Sequence, residues 1–156
     1  MKILVKVNHE SLVSDTILNE FSNPMGRTLM NNAFNTCSIE QYLSVVSVLW
    51  PRIVEVNDCI FIGEFYNSNY QALEQQFSGD KRKIEQHVNT WSLGEFFLLS
   101  RNESVDNDAI FDEFCEVVNF FWRLRVRELF PERRVVVETG EELNGESGVA
   151  ITMYQA

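Results

Sequence analysis

The sequence predicts an α+β fold: a single domain, 1–156, in which several helices pack against a mixed or antiparallel sheet of about five strands. Three observations carry this reading. The chain has 156 residues, 45 % hydrophobic and 12 % aromatic, and no repeat or Pro/Gly/Ser-rich linker divides it. Segments 52–56, 59–65, 134–139 and 149–154 are rich in β-branched and aromatic residues and are bounded by turn formers. Ile110, Phe114, Val117, Phe121 and Leu124 recur at helical spacing through 108–130, a stripe widened by Phe111, Val118 and Leu129.

Taken in order, 2–7 is a short β-rich run and the first strand. The signal from 8 to 36 is poor, although Ile17, Leu18 and Phe21 suit a short helix ending near Asn23-Pro24. Ser38 caps the next helix, in which Ile39, Tyr42, Leu43, Val46 and Leu49 form the inward stripe before Pro51 stops it. Asn57-Asp58 joins the second and third strands as a two-residue hairpin. That loop places Val54, Val56, Cys59, Phe61 and Phe65 on a core face and Ile53, Glu55, Ile60, Ile62 and Glu64 on a partly covered one.

Asn67 or Ser68 opens a helix with Tyr70, Leu73 and Phe77, and Gly79 suits its C-terminus. Asp80 caps another over 81–89, with Ile84 and Val88 inward. Ser92 suits the cap of a short helix through Leu93, Phe96 and Phe97, and 102–107 reads as a polar loop. The long helix then ends at Pro131, and the last two strands flank an acidic loop carrying Gly140, Gly145 and Gly148.

Charge and composition narrow the function. With 13 basic and 23 acidic residues the net charge is −10, which disfavours direct binding to nucleic acid or an anionic membrane. No apolar run reaches the ~20 residues needed to span a bilayer, and the first ten residues do not read as a secretory signal. Cys37, Cys59 and Cys115 are odd in number and widely spaced, which predicts free thiols and a cytoplasmic location.

Catalytic chemistry is not signalled. The two histidines, His9 and His87, lie in unrelated segments, and no metal-ligand spacing, phosphate-binding glycine loop or nucleophile elbow occurs. Cys59 and Cys115 fall at packed positions, while Cys37 lies just before a helix start, where a thiolate would be favoured. Lys81-Arg82-Lys83 and the arginines at 123, 125 and 127 read as solvated helix faces without the interleaved aromatics of a nucleic-acid groove. The reading is therefore a non-enzyme with no cofactor and no metal.

The acidity is concentrated. Glu103, Asp106, Asp108, Asp112, Glu113 and Glu116 place six acids in fourteen residues without a base, and Glu138, Glu141, Glu142 and Glu146 add four more. Those ten equal the whole net charge, since the other 13 acids balance the 13 bases. Acids at a helix start and arginines at its end are each favoured by about 0.3–1 kcal/mol through the helix dipole, so a solvated face accounts for part of the pattern. Asp108, Asp112 and Glu116, however, stack like charges at i, i+4 and i+8, at about 0.2–0.5 kcal/mol per pair. These three, with Glu141, Glu142 and Glu146 in the loop, are the candidate partner-binding residues. Of the three tryptophans, Trp91 is the candidate for an exposed interface contact.

The stretches LWPRIVEVNDCIFI, SGDKRKIEQHVNTWSLGEFF and FPERRVVVE, in a small acidic chain of this layout, resemble those of bacterial immunity proteins of contact-dependent growth-inhibition and other polymorphic toxin systems. The resemblance implies a cytoplasmic protein whose partner is a cognate toxin domain, cationic and nuclease-type, neutralised by stoichiometric occlusion. It transfers no residue role by position. A second reading is an acidic cytoplasmic secretion or effector chaperone, which should expose a large apolar surface where an immunity protein should present a charged one. An enzyme with an unrecognised carboxylate site is a third. Monomer and homodimer are equally compatible with the sequence.

Overall fold

The structure is a computed structural model and describes residues 9–67, 69–100 and 102–156. Its fold is α+β, as the sequence predicts. The helices are α1 (Leu29–Thr36), α2 (Ile39–Leu49), α3 (Tyr70–Gln76), α4 (Lys81–Asn89) and α5 (Asp108–Leu129). The strands are β1 (Ile53–Val56), β2 (Cys59–Ile62), β3 (Trp91–Ser92), β4 (Val135–Glu141) and β5 (Val149–Gln155). The run at 2–7 lies outside the described residues.

The described strands form two antiparallel sheets rather than one. One is the β1-β2 hairpin and the other has the order β3-β5-β4. In the hairpin Val56 pairs with Cys59, and Asn57 and Asp58 both take left-handed angles (φ 49° and 66°), as a type I′ turn requires. Such a turn suits the strand twist, so the two-residue loop and its register were readable in advance. β2 ends at Ile62, short of the predicted Phe65.

Both faces of β2 are covered. Cys59 and Phe61 pack with Tyr70 and Ile84 beneath α3 and α4. Ile60 and Ile62 join Trp122, Val126, Ile151 and Met153 in the main core between α5 and the second sheet. The face expected to be partly covered is therefore fully buried at Ile60 and Ile62, and Phe65 packs with this cluster instead of the other.

The same parity that buries β2 creates a backbone problem. The narrow pairs 56–59 and 54–61 turn the amides of Ile60 and Ile62 away from β1. On β5, Ile151 pairs with Trp91, so Met153 and Gln155 continue that same edge after β3 has ended. Two side chains one turn apart on α4 fill the gap. Asn89 Nδ2 donates to the carbonyls of Ile60 and Met153 (2.9 Å each), and its Oδ1 accepts from Ile62 N (2.9 Å). Glu85 Oε1 accepts from Ile60 N (2.8 Å) and Oε2 from Gln155 N (2.7 Å), while Gln155 Nε2 donates to Oε1 (2.7 Å). Both residues are fully buried. The sequence reading assigned this helix only Ile84 and Val88 as inward residues.

Elsewhere the caps agree with the sequence, with shifts of a residue or two. Ser38 and Gln41 make a capping box at α2, Asp80 caps α4, and Asn69 opens α3 in place of Asn67 or Ser68. Asn107 caps α5 by accepting from Ile110 N (3.1 Å), and α5 runs unbroken for 22 residues. The segment read as a polar loop contains a 3-10 turn, Glu103–Asp106. A 3-10 turn at Leu93–Phe97 follows β3, and Ser92 occupies its N-cap position as expected, but its Oγ donates to Ser147 O (3.0 Å) instead of capping the turn.

The bridge is testable through its polarity. Asn89→Ala leaves two carbonyls and one amide orphaned and should cost about 1–3 kcal/mol in urea unfolding. Asn89→Asp is nearly isosteric but points a carboxylate at two carbonyls, and should cost more, about 3–5 kcal/mol. An aspartate tolerated better than alanine would refute donation from this position to the carbonyls of Ile60 and Met153.

Candidate functional site

The candidate acidic residues come from two segments, the start of α5 and the β4–β5 loop. α5 and β4 pack on each other and are joined only by residues 130–134, so β4 runs back along the helix. At about 3.3 Å per strand residue and 1.5 Å per helix residue, Glu141 comes level with the Glu116 region of α5. Asp108, Asp112, Glu116, Glu141 and Glu142 are exposed and Glu146 is half-buried. Among the described residues none of these six lies within ion-pair distance of a cation. The ion pairs join Asp58 to Lys81, Asp80 to Lys83, Glu128 to Arg125 and Glu55 to Arg133. Asn107, not Asp108, holds the cap of α5, so the acidic stripe is not needed for capping.

The opposite end of α5 is basic. Arg123, Arg127, Arg133 and Arg134 border an open cavity of about 310 Å³. The helix thus carries acids near its start and arginines near its end, the polarity its dipole favours. Arg82 of the other basic run lies over the Tyr154 ring, 4.6 Å from its centroid.

Trp91 is not the exposed aromatic. Its ring is half-buried and stacked on Phe65, with centroids 4.6 Å apart. Strand pairing with Ile151 fixes it there, which corrects its assignment as an exposed contact. Trp50 is the exposed tryptophan, beside Arg125, whose guanidinium lies 5.2 Å from the ring.

Most of the α2 stripe that the sequence places inward is exposed. On α2, Ile39 is 78 % exposed, Leu43 67 % and Val46 58 %, with Tyr42 and Val45 also exposed. On α1, a helix the sequence reading did not identify, Met30 and Phe34 are 67 % and 68 % exposed. No α2 residue before Val48 is even half-buried. The helix is held at its C-terminal end, where Trp122 Nε1 donates to Val48 O (2.8 Å) and Leu49 packs on the main core. Leaving a Leu or Ile side chain in water forgoes about 1.5–3 kcal/mol relative to burial. One signal was available: residues 28–51 contain a single charged side chain, Glu40, whereas a surface helix ordinarily has a charged outer face.

A polar cavity of about 370 Å³ lies between α4 and the β4–β5 loop, bordered by Lys83, Gln86, His87, Thr90, Asn144 and Glu146. Thr90 Oγ1 accepts from Asn144 Nδ2 (2.8 Å) and lies 2.9 Å from Thr152 Oγ1. The exposed His87 ring is tilted against Phe77, with centroids 5.1 Å apart. Among the described residues no hydrogen bond joins His87 to Glu146. No group of three or more metal-ligating side chains occurs among them either. No described helix is long and apolar enough to cross a membrane.

Comparison with family models, with curated proteins and with solved structures returns no match.

The thiols divide by burial. Cys37 is exposed, while Cys59 and Cys115 are buried. Burial pushes the Cys59 thiol up. It raises Cys115 from an ordinary 9.0 to about 11, helped by the neighbouring charges of Asp112 and Glu116. Both shifts run against nucleophilic use. A thiol reagent should titrate one cysteine rapidly in the native protein and two more on unfolding. The fold holds the Cys115 proton more tightly than the unfolded chain does. Its contribution is complete below pH 9.0 and is lost as the pH rises to about 11. The urea midpoint should fall across that interval, and fall less in Cys115→Val.

Proposed function

We propose that this chain is a cytoplasmic immunity protein that neutralises a cognate, cationic, nuclease-type bacterial toxin by stoichiometric occlusion. The observation that carries the reading is the unpaired acidic end, where Asp108, Asp112 and Glu116 are exposed and without a cation at ion-pair distance among the described residues. Glu141, Glu142 and Glu146 extend it from the β4–β5 loop. Carboxylates left without internal partners are available to lysines and arginines of another protein, and an acidic surface can cover the site that nucleic acid would occupy. Two effects follow from the placement. Long-range attraction speeds encounter and is screened beyond about 8–10 Å near physiological salt. Short-range charge-assisted hydrogen bonds then slow dissociation, by an amount that depends on burial.

The secretion-chaperone reading is favoured by a different observation, the apolar face of α1 and α2. A chaperone would hold an unfolded segment there, whereas the immunity reading needs the acidic end and a folded partner. The reading assigns no chemistry to the polar cavity.

Reversing Asp108, Asp112 and Glu116 to lysine should leave the fold intact, because Asn107 keeps the cap and all three positions are exposed. The lysines repel one another as the acids did and oppose the helix dipole, at a cost of about 0.3–1 kcal/mol each. Binding to the toxin that co-purifies from the host should weaken at least about tenfold, with loss of protection. The wild-type association rate should fall as salt rises, and the reversed variant's should fall less steeply. Equal affinities with no salt dependence would remove the acidic mechanism. Capture of a partly unfolded effector would favour the chaperone.

A further inference from the structure

α2 is a helix of eleven residues, and helices shorter than about 12–15 residues are marginal in water without tertiary burial. Among the described residues only its last turn is even half-buried, and the apolar stripe Ile39, Tyr42, Leu43 and Val46 is exposed, as are Met30 and Phe34 of the preceding helix. Monomeric proteins rarely leave apolar patches of more than a few hundred Å² uncovered.

We propose that this face is a homodimer interface, in which the α2 stripe of one copy packs antiparallel on the same stripe of a second copy, flanked by Phe34 and Met30. Three observations select a second copy as the occupant. The chain carries a net charge of −10, so two copies repel wherever their acidic surfaces meet, yet 28–51 holds only Glu40 and is the stretch on which copies approach with least repulsion. Covered completely, the six exposed residues would contribute at most on the order of 700–800 Å², against the ~800 Å² per partner of a standard interface. One helical stripe placed across a two-fold axis meets itself, so no complementary surface elsewhere on the molecule is required. The helix is also fixed in place by the Trp122–Val48 hydrogen bond and by Arg125 over Trp50, which limits the ordering cost of association. The inference goes beyond the proposed function and does not rest on it. It assigns the apolar face to self-association and leaves the acidic end free.

The test is sedimentation equilibrium of the full chain from about 1 to 100 μM. Wild type should sediment at twice the monomer mass over most of that range. The double variant Leu43→Glu, Val46→Glu should sediment at the monomer mass throughout, with its helical circular dichroism retained because both positions are exposed. Asp112→Lys, at the acidic end, should remain dimeric. A wild type that stays monomeric at the highest concentration overturns the proposal and returns the face to another occupant, such as an extended client segment. A double variant that remains dimeric also overturns it, by placing the contact elsewhere. Should the double variant fail to fold, amide exchange of wild type over the same range decides: protection of 39–49 that rises with concentration supports the interface, and protection independent of concentration refutes it.

Discussion

The architecture depends on how two strand edges that never meet are satisfied. β2 turns the amides of Ile60 and Ile62 away from its hairpin partner, and β5 continues past β3 with Met153 and Gln155 still facing outward. Both edges are buried, and a buried amide or carbonyl without a partner costs about 1–3 kcal/mol. Glu85 and Asn89, spaced i and i+4 on α4, supply donors and acceptors in the pattern that the two edges present. A carboxylate answers N–H groups, and an amide answers both kinds. This arrangement locks the hairpin to the second sheet while keeping the sheets distinct. It also fixes where α4 ends, and therefore where Trp91 and Ser92 enter as β3.

With the interior closed in this way, the surface divides by physics. The start of α5 and the β4–β5 loop concentrate negative charge, the end of α5 concentrates arginine, and α1 and α2 are almost free of charge and largely apolar. The acid-to-arginine order along α5 agrees with its dipole, which accounts for the sign of each end but not for six acids without cations. The uncharged surface has no such account. Apolar side chains exposed on a helix stabilise nothing in a monomer, and the proposed dimer is the arrangement that buries them without bringing two −10 molecules together on their acidic sides.

The polar cavity brings several polar residue types together. His87, Lys83 and Glu146 border it, yet Thr90 and Asn144 are already committed to one another and His87 leans on Phe77.

What the sequence determined by itself were features set by neighbours along the chain. Asn57-Asp58 specifies its own turn, Ser38 and Asp80 their caps, and the stripe from Ile110 to Leu124 an unbroken helix, because each depends on local backbone geometry or on one period of repetition. The acidic clustering was legible for the same reason. Periodicity says which residues share a face but not whether anything covers that face. The stripe on α2 reads the same whether it faces a core or water, and only the path of the chain leaves it uncovered. Trp91 was misplaced likewise, since its burial comes from pairing with Ile151, distant in sequence. Glu85 and Asn89 look like ordinary polar helix residues. Their burial became favourable only when the tertiary structure brought two unpaired strand edges against them, a match between groups far apart in the chain that no local pattern records.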